Sequence, residues 1–386
     1  MKKWLCLFLS LCLMMSCAAV LADQQWAIDN GLNKTETVEE LYAAALEEGG
    51  VLNLYGCSGR DEVVANAFME EYPGITVNFY DLGINEMLEK FTREYEAGIH
   101  TADVLQLKEQ SGSITNEYIA QGLLHNYHPE DIFGDVNPEY LCVTPFVIEL
   151  CWWSYNTELH ESMPISSWWD LTKEEWRGKY VVLDPTSEPD LIVLFENMIR
   201  YADDMAADYE RVFGEPITLA ENEPNAGYAW INRFANNGII LETANGTIVK
   251  DVGGLKGLKD APLGYGVSSM LRKRDSDGFV IGVDPAAFQD KTPSTAISFM
   301  VAQITDQCEH PNAAKLFVRY ICGEVDHTGE GLKPFLVAGS YPVFPNSPEI
   351  PYECPSFESI STFELDFDYY YDNYYDVYDY WLSVQP

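Results

Sequence analysis

The chain has 386 residues, with 61 Asp and Glu against 23 Lys and Arg, and a formal net charge of −38. Such a surface repels nucleic acid and anionic membranes, which excludes both as partners. It does not exclude an anionic ligand, because one Arg or helix terminus can dominate a single pocket, and the length exceeds one compact core, so two domains are expected.

Lys2 and Lys3 precede an apolar run from Trp4 to Met15, and Val20-Leu21-Ala22 ends on a small residue. Residues 1–22 therefore read as a secretory signal peptide. Cys17, preceded by Ser16, offers a rival reading as a lipidated N-terminus. The mature chain is expected to be secreted, periplasmic or held at the cell surface, since no later stretch is long and apolar enough to span a bilayer. Its six cysteines (57, 142, 151, 308, 322 and 354) permit disulfides in an exported protein, and isolated buried thiols fit as well. None has zinc-site spacing, and no metal or cofactor is expected.

A helix over Val38 to Glu47 stops at Gly49-Gly50. Val51, Leu52 and Leu54 form a buried strand, Gly56, Ser58 and Gly59 break the pattern, and Val64, Ala67, Phe68 and Tyr72 recur at helical spacing. In an open parallel sheet, the crevice lies beyond the carboxyl ends of the strands. There the helix N–H groups, Ser58, Gly59 and Arg60 suit a carboxylate, phosphate or phosphonate. A plain turn with Arg60 in solvent fits the same residues.

Ile75, Val77 and Phe79 alternate as a second strand, and Ile84, Met87, Leu88, Phe91 and Tyr95 mark an amphipathic helix. Ala102 to Leu107 is a third strand, followed by the polar loop Lys108 to Ser111 and a helix from Ser113 to Gln121. The β-α-β-α-β-α order predicts a doubly wound sheet. Gln110 and Ser111 are therefore candidate ligand contacts. A second block follows: strand Phe146 to Tyr155, strand Tyr180 to Leu183, and helices Leu191 to Tyr201 and Asn225 to Asn236. Strand Ile239 to Leu241, a short helix Thr247 to Val252 and strand Pro262 to Ser268 complete it. Thr186 and Ser187 could contact ligand or cap the next helix, and Asn245 and Thr247 pose the same choice. Trp153 and Tyr265 could line a cleft or pack in the core. Strand Thr295 to Ile304 and helix His310 to Cys322 come next. In the tail, Phe367, Tyr371, Tyr374, Tyr378 and Trp381 fall at helical steps, predicting a docked helix.

Enzyme signatures are thin. Gly56-Cys57-Ser58-Gly59 misses the nucleophile-elbow spacing, and neither H-E-x-x-H nor a P-loop occurs. His125 and His128 stand apart from other ligand residues. Arg272-Lys273-Arg274 is the one dense basic run.

The phrases SWWDLTKEEWRGKYVVLDP, preceded by Tyr155-Asn156, and CEHPNAAKLFVRYICG resemble the solute-binding proteins of ABC importers, in the branch that handles ferric iron, thiamine and aminoethylphosphonate. The similarity runs from about Leu52 to Tyr341. It implies a two-lobed α/β fold of the type II periplasmic-binding-protein class, closing over one small solute and acting as a monomer that delivers it to permease subunits in the membrane. Two crossings between lobes would join residues 23–145 with 295–340, and 146–294 with 341–386. Iron-binding members use adjacent tyrosines in the second lobe, and Asp260 to Arg272 supplies only Tyr265, so an organic anion (organophosphate, phosphonate or carboxylate) is expected. Ferric iron or a polyamine is the alternative solute. An extracellular carbohydrate-active enzyme is the alternative of another class.

Overall fold

A computed structural model describes residues 25–385. The expected leader, residues 1–22 with Cys17, lies outside the described residues. Helix α1 (Val38–Glu47) begins with a capping box, in which Thr37 accepts from the Glu40 N–H and Glu40 accepts in return. Then β1 (Val51–Gly56), α2 (Gly59–Glu71), β2 (Thr76–Asp81), α3 (Ile84–Glu96) and β3 (Val104–Glu109) alternate. Both β2 and β3 pair parallel to β1, the doubly wound arrangement that the apolar runs predicted. The segment expected as an α-helix from Ser113 is instead a π-helix over Ile114–Ile119. Glu109 holds its start by accepting from the Gly112 and Thr115 N–H groups.

After a short β4 (Leu124–His125) and α4 (Glu130–Phe133) comes β5 (Pro145–Asn156), in which all twelve residues are buried. This strand serves two half-sheets. Its residues up to Leu150 pair antiparallel with β10 (Ile297–Thr305), while Cys151 to Ser154 pair with β8 (Leu263–Val267). The sheet order is β2-β1-β3-β10-β5-β8-β6-β7, with β6 at Tyr180–Leu183 and β7 at Ile240–Glu242. Strands β9 (Ile281–Val283) and β11 (Ser340–Pro342) also pair with β5. The mostly apolar β5 is covered on both faces, as its composition requires, with Glu149, Ser154 and Asn156 its polar members.

Each half-sheet has its own core. In the first, Phe68 of α2 meets Phe317 of α10 (Pro311–Ile321) edge to face at 5.4 Å. The second gathers Trp168, Trp169 and Trp230 against α5 (Asp190–Arg200) and α7 (Ala226–Ala235), with α6 (Ala202–Phe213) outside them. Trp168 and Trp230 sit 5.7 Å apart. Helices α8 (Asn245–Gly253) and α9 (Arg272–Asp277) flank β8.

The tail is a helix, α11 (Phe367–Val384), as its periodicity predicted, but the buried stripe is shifted. It runs through Phe367, Tyr370, Val377, Trp381 and Val384, so Tyr371 is not a core residue. All six described cysteines are free thiols. No described helix is long and apolar enough to cross a membrane.

Candidate ligand-binding cleft

The ends of β3 and β6 approach each other from the two half-sheets. Lys108 Nζ lies 2.7 Å from Glu188 Oε2, and Asn85 Nδ2 donates to the Thr186 carbonyl at 3.2 Å. Beside these bridges is a cavity of about 330 Å³. Lys108, Gln110, Ser111 and Ser113 form its floor, and Pro185 and Pro189 face them. Ile84, Asn85 and Leu88 of α3 close one side, together with Glu89, Glu117 and Tyr118. Tyr371, Tyr374 and Tyr375 of α11 form the remaining wall.

Lys108 is the central charge. Burial opposes its ionisation, but Glu188, Asp190 and Glu149 surround it and hold the ammonium well above its ordinary value. Gln110 is 3% exposed, and neither of its side-chain amide atoms has a partner among the described residues. Leaving such groups unpaired costs about 1–3 kcal/mol, so the amide sits beside the cavity with a donor and an acceptor unspent. Ser111 Oγ donates to Ser113 Oγ at 3.2 Å.

Ser58, Gly59 and Arg60 take a different place from the one their loop suggested. Ser58 caps α2, accepting from the Arg60 N–H, while Asp61 accepts from the Ser58 N–H at 2.9 Å. The Arg60 guanidinium does not line the cavity. It donates to Glu149 at 2.9 Å and lies 4.5 Å over the Phe335 ring. Its side chain is 14% exposed and that of Glu149 only 1%. Burial would lift the Glu149 carboxyl, but Arg60 and Lys108 hold it below its usual value. Burial and the neighbouring Arg60 bring Arg272 down to about 10. Burial lifts Asp61 to about 8 and, against Lys108, Asp190 to about 6. The strand ends therefore set the charged Lys108 and Arg272 beside Glu149, whose carboxyl those cations keep ionised.

The other sequence candidates also scatter. Thr186 is exposed, and its hydroxyl donates to Asp184 at 2.8 Å. The Ser187 N–H donates to the Asp184 carbonyl, so the pair forms a turn and caps nothing. Asn245 lies inside α8, after the cap residue Ala244, and accepts from the Val267 N–H at 2.9 Å. Thr247 is in the same helix, half-buried. Trp153 and Tyr265 are each 2% exposed and pack on each other at 5.2 Å, because the tryptophan-rich second core absorbs them. Of the eleven candidates, only Gln110 and Ser111 line the cavity. The tail tyrosines were missed because one aromatic stripe on a helix reads as packing. A second stripe at 371, 374 and 375, at steps of three and four, was the available signal.

His125 meets Asp306 at 2.9 Å and His128 the Val143 carbonyl at 2.7 Å, so each is held in separate internal bonds. Among the described residues no group of three or more His, Cys, Asp or Glu side chains forms a metal cluster.

No family model matches the chain, and no curated protein matches it in sequence. Solved structures do match in shape. Iron-bound HitA from Pseudomonas aeruginosa aligns at a TM-score of 0.63 and 19% identity, covering 87% of this chain and 99% of that one. The periplasmic binding protein AfuA from Actinobacillus pleuropneumoniae, with exogenous fructose-6-phosphate bound, aligns at 0.66 and 15%, covering 87% and 98%. The periplasmic binding protein P5PA aligns at 0.62 and 15%, covering 87% and 100%. At these identities the likeness is one of fold: the chain has the two-lobed α/β fold of type II periplasmic binding proteins.

Proposed function

We propose that this chain is an exported solute-binding protein, which captures a small anion in the cleft and hands it to the membrane permease of an ABC importer. The observation that carries the reading is Lys108, a buried ammonium at a strand end, facing the cavity and paired across the cleft with Glu188. Opening the cleft separates that pair and frees the ammonium for an organophosphate, phosphonate or carboxylate. Closure then depends on contacts from both sides, so ligand shifts the open–closed balance. We assign residues 23–145 with 295–340 to one lobe and 146–294 with 341–386 to the other. Two cores meeting at β5 support this division over most of the chain, while Val249, Ile281, Tyr341, Phe344, Phe367 and Tyr370 of the second assignment pack in the first core. The protein acts as a monomeric binder, not a catalyst, on the outer side of the membrane.

Thermal-shift titration of residues 23–386 tests this against glycerol 3-phosphate, glucose 6-phosphate, 2-aminoethylphosphonate, citrate, ferric ion and spermidine. An anion at a hundredfold its Kd adds about 2.7 kcal/mol of stability, with no product formed. Glu89, Glu117 and the tail tyrosines favour a second reading, a cation such as a polyamine or ferric ion. Stabilisation by spermidine or ferric ion alone would establish that reading and remove the first.

A further inference from the structure

The cavity wall supplied by α11 is fixed at both ends. Near its start the Phe367 carbonyl accepts from Asn116 Nδ2 at 3.3 Å, and the Phe367 ring lies 6.0 Å from Phe299 of the first half-sheet. Further along, the Tyr370 hydroxyl meets Asn197 Oδ1 at 3.2 Å, and the Trp381 ring lies 5.5 Å from Phe195 of the second. The helix is thus a strap across both halves, and its core stripe is complete without Tyr371, Tyr374 and Tyr375. Tyr371 and Tyr375 are 36% and 76% exposed, so packing does not account for their positions on the cavity wall.

We infer that this tyrosine wall determines which anion is accepted, and that it selects one carrying a hydroxylated ring: a phosphorylated or carboxylated cyclic sugar. The inference rests on the anion reading above and deepens it. Aromatic faces receive the C–H face of a ring, and tyrosine hydroxyls and carboxylates bond its hydroxyls. Glu117, which also lines the cavity, can only accept when ionised, which suits hydroxyl donors. Gln110 beside the cavity, buried with both amide atoms unpartnered among the described residues, holds one donor and one acceptor that cleft opening would bring to the ligand. Lys108 takes the charged end. An inorganic anion or a short linear phosphonate engages Lys108 and leaves the tyrosine wall and Gln110 unused.

The test is calorimetric titration of residues 23–386, wild type and the double variant Y371A/Y375A, whose exposed positions spare the core. The ring probes are glucose 6-phosphate, fructose 6-phosphate and glucuronate, and the ringless probe is glycerol 3-phosphate. The wild type should bind at least one ring probe tenfold or more tighter than glycerol 3-phosphate. The double variant should lose at least tenfold for that ring probe and stay within twofold for glycerol 3-phosphate. Equal losses for both probes, an unchanged preference, or no ring preference in the wild type would overturn the tyrosine wall while leaving anion capture intact. Binding of none of the four anions by the wild type would overturn the tyrosine wall, and failure of citrate and 2-aminoethylphosphonate as well would remove anion capture with it.

Discussion

Glu196 allows the sharpest quantitative prediction. It lies on α5 with no exposed surface, and neither carboxylate oxygen has a partner among the described residues. It packs beneath α11, where Tyr369 donates to its backbone carbonyl at 3.4 Å. Burial lifts its carboxyl from near 4.5 to about 9. The folded state therefore keeps the proton where the unfolded chain releases it. Stability from this group is complete below about pH 4.5 and is lost as pH rises toward 9. Each pH unit in that window costs about 1.4 kcal/mol. Between pH 5 and pH 8 the wild type should lose about 4 kcal/mol on this account alone. Glu196→Gln keeps the shape and abolishes the titration. All other ionisable groups are shared, so their contributions cancel in the comparison. Urea denaturation at pH 5, 6.5 and 8 measures the difference. The variant should gain on the wild type by about 4 kcal/mol across that range. Parallel pH profiles would mean that Glu196 is ionised in the native state, and the reasoning from burial would fail.

Three further outcomes follow from the cleft. Glu188→Gln should raise affinity for an anion about tenfold, roughly 1.4 kcal/mol, because the ligand no longer competes for Lys108; titration showing equal or weaker binding would contradict that role. Arg60→Ala should destabilise the fold by about 3–5 kcal/mol by stranding the buried Glu149, a loss read from the urea midpoint; an unchanged midpoint would show that the pair carries no stability. Gly112 has φ +78°, and a Cβ there would stand 2.1 Å from the Phe367 carbonyl oxygen. Gly112→Ala should therefore cost at least about 1–2 kcal/mol and speed amide exchange at the start of α11, whereas unaltered exchange there would mean the tail is held elsewhere.

Local chemistry made much of the fold legible. Short apolar runs, glycine stops and helical spacing are properties of neighbouring residues, so β1 to β3, β5, β6 and helices α1 to α3 were readable from the chain. The pairing of β10 against both β3 and β5 was not, because strand partners are chosen by long-range burial. The same distinction divides the site. Gln110 and Ser111 were legible as a polar break at a strand end. Arg60 looked equally available, but a buried carboxylate 89 residues away claimed it. Trp153 and Tyr265 were absorbed by a core assembled from distant tryptophans. The tail tyrosines became a cavity wall because α11 docks across both halves, and no local pattern reveals where a helix will dock. The sequence by itself determined the longer strands and most of the longer helices, since backbone propensity and periodicity act over a few residues. Only the tertiary structure decided which charges are already spent on each other and which polar groups remain free, because that depends on contacts between segments far apart in the chain.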